Sequence, residues 1–131
     1  MAEEKSPQQP TSVPPVKFEH TQDFESRYAN NVQSEHSVWD FKVIFGTLDQ
    51  SVQPNRVMQH TSVNLPWLQV KLLSYYLNVA VAVHESEHGK ITIPKNVMPP
   101  NPETIDPSAF GLSAHLHEIV EKVYKNFLAT L

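Results

Sequence analysis

The segment from Asn64 to His88 constrains this chain more than any other. Leu68, Leu72, Tyr75, Tyr76, Val79 and Val83 recur at helical spacing, and Leu73, Leu77, Ala80 and Val81 widen the apolar arc well past an ordinary amphipathic stripe. Only Lys71, Ser74, Asn78 and Glu85 give it a wet edge. Asn64 is placed as an N-cap, Pro66 suits the first turn, and Gly89 suits the position just past the end. The longest unbroken apolar run, Val79 to Val83, falls far short of a membrane span. A helix this apolar, yet too polar for lipid, needs cover on more than one side.

Upstream the sequence reads as strands. Trp39, Phe41, Val43 and Phe45 alternate with Val38, Asp40, Lys42 and Ile44, the period of a pleated strand, and place an aromatic face toward a core. Tyr28 to Gln33 reads as a preceding strand, joined by Ser34 to Ser37 in a hairpin. Gly46 is expected to end the second strand, and Thr47 to Asn55 to form a polar loop. Arg56 to Val63 supplies a third strand. Three strands shelter one side of the long helix, and one side is not enough.

Downstream, Ile91 to Ile93 can add a short strand, and Pro94, Pro99, Pro100, Pro102 and Pro107 mark an extended connector over 94–107. Asp106 or Ser108 is expected to cap a last helix with a clean seam of Leu112, Leu116, Ile119, Val120, Val123, Phe127 and Leu131. His117, Glu118, Glu121 and Lys125 form its opposite, solvated face. The expected fold class is therefore α+β. An antiparallel β-meander of three to four strands packs on a long α-helix, and a C-terminal α-helix follows. Residues 1–22, rich in Pro and Gln, read as a disordered arm, and 23–131 as a single domain.

Bulk properties narrow the function classes. With 131 residues, one modest core is expected. A net charge of -4 and scattered Lys and Arg argue against a nucleic-acid binder. The absence of cysteine removes disulfides, thiolate metal sites and Cys nucleophiles, and suits a reducing compartment. A polar start without an apolar core carries no secretory signal, so the expected location is cytoplasmic, with no membrane association. Three glycines provide neither a Walker A nor a dinucleotide-binding loop.

One motif carries potential chemistry. His84-Glu85-Ser86-Glu87-His88 fits H-E-x-x-H, in which two His four apart on a helix hold zinc while the Glu activates water. Gly89 ends the helix directly behind His88, and no further His follows at the spacing of the extended zincin motif. His84 and His88 are thus the metal candidates in a sequence whose expected cofactor set is empty. His115 and His117, two apart, point to opposite faces of a helix.

Tyr28-Ala29-Asn30-Asn31-Val32, Asp40-Phe41 and Phe45-Gly46 resemble a bacterial family of small proteins known only as a domain of unknown function. The later motifs of that family correspond to Arg56-Val57-Met58, to Pro66 with Lys71, and to His84 through Ile91 around Gly89. The resemblance covers about 27–93. It implies a compact strand-and-helix module with structural roles for Tyr28, Asn30, Asp40, Phe41, Phe45, Gly46, Arg56, Pro66, Lys71 and Gly89. It also implies no agreed activity or cofactor.

The resulting expectation is a non-enzymatic binding or assembly module that homo-oligomerises, a dimer being favoured, with an unknown protein as further partner. The alternatives are a small zinc-dependent hydrolase using His84, Glu85 and His88, and a single-stranded nucleic-acid binder using its aromatic strand face.

Overall fold

The computed structural model describes residues 14–106, 111 and 113–131. Strand β1 (Asn31–His36) leads to β2 (Asp40–Asp49) and β3 (Arg56–Pro66), followed by helix α1 (Trp67–His88). Two short 3-10 turns, Lys95–Val97 and Pro102–Thr104, precede helix α2 (Ala114–Leu128). The three strands form one antiparallel sheet in the order β1-β2-β3. The chain divides into two compact units, Met1–Ser34 with Val43–Val63 and Glu35–Lys42 with Asn64–Leu131. Of the arm expected over 1–22, residues 1–13 lie outside the described residues, and 14–20 carry no regular secondary structure.

In the first unit the central strand β2 supplies the buried residues, Val43 and Gly46. Phe41 and Phe45 are half-buried, but so are Asp40, Lys42 and Ile44 beside them, so burial does not follow the alternation expected for the aromatic face. Trp39 is not part of that face. It is 85% exposed in the turn before β2. Gly46 does not end the strand either, because β2 runs on to Asp49. A Cβ there would lie 2.9 Å from both the Met58 carbonyl oxygen and Val57 Cγ1, and 3.2 Å from Gln59 Cα. The glycine is a close-approach position, where β3 crosses with no room for a side chain. The first strand is likewise shifted. It begins at Asn31 and reaches His36, so the hairpin turn comprises Ser37 to Trp39.

The second unit contains both helices. Asn64 is not an N-cap, because β3 continues through it to Pro66, whose φ of -65° and ψ of 151° are extended. The physical cause is Pro66 itself. Its ring disfavours helical backbone at Leu65, so the strand persists until the proline has passed. The far end matches expectation: Gly89 adopts φ 89°, a value that favours glycine, and its N–H donates to Glu85 O at 2.9 Å.

Ile91 to Ile93 make no strand, and α2 starts later than expected. Gly111, at φ 64°, cannot continue a right-handed helix. Ser113 beyond it is the cap, with Oγ accepting from Leu116 N–H at 3.3 Å. Asp106 therefore precedes the helix, while Ser108, Pro107 and Leu112 lie outside the described residues. Among the described residues, no helix is long and apolar enough to cross a membrane.

Candidate functional site

The sheet places the motif residues before any site can be discerned. Asn30 sits just ahead of β1 and binds β2 twice. Its N–H donates to Gly46 O at 3.1 Å, and its Oδ1 accepts from Leu48 N–H at 2.7 Å. Asp40 closes the hairpin: Ser37 N–H donates to Asp40 O at 2.9 Å, and Ser37 Oγ donates to Asp40 Oδ1 at 3.0 Å. Tyr28 is 77% exposed, and its carbonyl oxygen lies 3.0 Å from His60 Nε2. Arg56 opens β3 and Lys71 lies on α1, both exposed. Of these positions, Asn30 and Asp40 bond with their side chains at the strand connections, whereas Tyr28, Arg56 and Lys71 are exposed.

The beginning of α1 is set by an aromatic contact within the second unit. Trp67 packs its ring 5.7 Å from Phe41 and 6.0 Å from His36, centre to centre. Its Nε1–H donates to Ser37 O at 3.1 Å. Sequence reading missed this role, since Trp67 adds to the apolar content of the helix without announcing a partner 30 residues earlier.

Beyond Trp67 the helix is bare. None of its residues is buried, and only Val70 and Glu85 are even half-buried. Leu68 is 69% exposed, and Tyr75 and Tyr76 are each 62% exposed. Leu72, Leu73, Leu77, Val79, Val81 and Val83 are exposed as well. Outside the polar edge of Lys71, Ser74, Asn78 and Glu85 the apolar residues run around most of the circumference, so no narrow stripe defines a core-facing side. Tyr75 and Tyr76 meet edge to face at 5.5 Å.

At the helix end, the H-E-x-x-H residues separate into two groups. His84 and His88 share a face, their rings 4.9 Å apart and tilted by 44°. Glu85 faces elsewhere, with its side chain only 15% exposed. Its Oε2 accepts from Ile91 N–H at 2.8 Å, and its Oε1 lies 3.9 Å from Lys90 Nζ. The carboxylate a zinc hydrolase would use as base is thus engaged in closing the helix. Lys90 Nζ also donates to Thr130 O at 3.0 Å, tying this end to the last residues of the chain. Among the described residues, no three His, Asp or Glu side chains gather in a metal-binding group.

A second surface lies along α2. His117, expected in solvent, is only 17% exposed in its side chain. Its Nε2–H donates to Pro102 O at 2.8 Å, and its Nδ1 lies 3.3 Å from Glu121 Oε1. The Pro102 carbonyl accepts a second bond, from Ile105 N–H at 3.3 Å, so one acceptor holds both the connector's own turn and the His117 ring. Ile119, Val120 and Val123 of the seam face the connector across an open groove, and with Leu116 they remain exposed. Between connector and helix lies an open groove of about 640 Å³, lined by Pro99, Pro100, Ile105, Val120, Tyr124 and Phe127 among others.

An antiparallel three-stranded meander, a following helix and a C-terminal helix define a small α+β protein. Residues 1–93 match the family model described as Protein of unknown function (DUF3467), and the chain belongs to that family. The match includes the sheet and all of α1, and it stops before the proline connector. No curated protein and no solved structure matches the chain.

Proposed function

We propose that the protein is a non-enzymatic assembly module in which α1 of one copy packs against α1 of a second. The observation that carries this reading is a 22-residue helix without one buried residue, despite apolar side chains around most of its circumference. Contiguous exposed apolar surface on this scale marks an interaction site. Full burial of a fully exposed large side chain contributes about 1.5–3 kcal/mol. These leucines and tyrosines are 40–69% exposed. Many of them from both copies together are therefore needed to offset an association cost of about 4–15 kcal/mol. A helix of this length spans about 33 Å, enough to contribute a standard-size interface together with its neighbours. Isologous pairing is the commonest closed arrangement, which favours a dimer. The engagement of Glu85 weighs against the hydrolase reading, and the net charge of -4 against nucleic acid. A cysteine-free chain of this kind is suited to the cytoplasm.

Light scattering behind size exclusion tests the proposal. At tens of micromolar the expected mass is twice 14.9 kDa. Leu77→Asp, which places a charge on the exposed helix surface, is expected to give the monomer mass with its far-UV circular dichroism retained. A wild-type protein that runs at 14.9 kDa at this concentration overturns the reading.

A further inference from the structure

We propose that His84 and His88 form a two-histidine chelate for a divalent transition-metal ion of the zinc, nickel or copper class, as a surface ligand pair and not a hydrolytic centre. Two histidines four apart on a helix stand one above the other on one face. Here their rings are 4.9 Å apart, and both side chains are exposed. Imidazole nitrogens bind such ions at about 2.0–2.1 Å, so the two donors need to approach to about 3 Å. Side-chain torsions alone can close that difference, because each donor nitrogen lies off its ring centre. The backbone need not move.

The position of the pair in the last helical turn would normally argue against it, since unsupported helix ends fray. This end is supported. Gly89 N–H bonds Glu85 O at 2.9 Å, and Ile91 N–H bonds the Glu85 carboxylate at 2.8 Å. The residue between the two histidines therefore holds the turn that presents them. Glu87 Oε2 lies 3.8 Å from His88 Nε2, and its negative charge favours a cation at the pair. The described residues bring no third ligand to the pair, so water completes the coordination sphere. With two neutral imidazoles as donors, copper binds more tightly than nickel or zinc.

Calorimetric titration of tag-free, chelator-stripped protein with NiCl2 and with ZnCl2 tests this. The expected result is saturable binding of one ion per chain. His84→Ala and His88→Ala are each expected to weaken it at least about tenfold, since losing even a supporting partner of a ligand costs 10–100-fold. His115→Ala is expected to leave it unchanged. Alanine is the best helix former, so both site variants keep α1 intact, as circular dichroism would verify. A readout on the wild type alone is provided by Cu2+ broadening of backbone amide signals, expected to centre on 84–88. No saturable binding at millimolar metal overturns the proposal. So does binding that survives His84→Ala within a factor of two, or broadening centred elsewhere.

Discussion

Gly46→Ala is the most demanding test of the sheet. The added methyl carbon would stand 2.9 Å from the Met58 carbonyl oxygen and 2.9 Å from Val57 Cγ1. The valine can turn away, but the carbonyl belongs to the backbone of β3 and cannot move alone. Overpacking of this kind costs about 1–3 kcal/mol. Against it stands the gain from restricting the unfolded chain, about 0.4–1 kcal/mol when glycine is replaced where its φ is ordinary. The net expectation is a loss of roughly 1–2 kcal/mol. For a chain of this size each kcal/mol lowers Tm by about 3–6 °C, so the transition should fall by roughly 3–12 °C. Urea unfolding followed by circular dichroism, at fixed protein concentration, provides the free energy directly. An alanine variant as stable as wild type would refute the close-approach account of Gly46.

Two further substitutions probe the bonds that the motif residues make. Asn30→Ala removes the acceptor for Leu48 N–H and should cost about 0.5–1.5 kcal/mol in urea unfolding, while Asn30→Asp, which keeps an acceptor, should retain most of it. Glu85→Ala releases Ile91 N–H and should speed amide exchange over the last turn of α1 while leaving the turn around Trp67 unchanged; exchange that is equally slow in both proteins would contradict the cap.

The element order was legible because it rests on local signals. The alternation around Phe41 to Phe45 and the 3.6-residue recurrence from Leu68 to Val83 are properties of short windows. Gly89 was legible for the same reason, since the apolar pattern stops where a left-handed residue is needed. Two of the errors, at Gly46 and His117, originate in partners distant along the chain, and two, at Asn64 and Ser113, in backbone restraints one or two residues away. Gly46 reads as a terminator until β3 is laid beside it. Asn64 reads as a cap unless the restraint of Pro66 on Leu65 is given more weight than the side chain's capping tendency. His117 reads as solvated because nothing in α2 announces a proline carbonyl 15 residues earlier. Ser113 lost to Asp106 and Ser108 as the cap because the left-handed conformation of Gly111 was not anticipated.

The site was legible only in part. The adjacency of His84 and His88 follows from helix geometry and was visible in the spacing. The division of labour within the motif was not. Glu85 looks like a base in a linear pattern, yet its carboxylate reaches six residues forward to an amide that a continued helix would have hidden. The excess apolar surface of α1 was visible as well, while its lack of shelter among the described residues is a finding of the structure.

The small closure formed by Glu85, Gly89 and Ile91 has a consequence for the chain beyond it. A helix finished this way asks of the following segment little more than the amide of Ile91 to keep its final turn wound. The family match stops at residue 93, two positions past this knot. Segments of different length and character can therefore be spliced on there, as the proline connector and α2 are here, without loosening the stem that bears them.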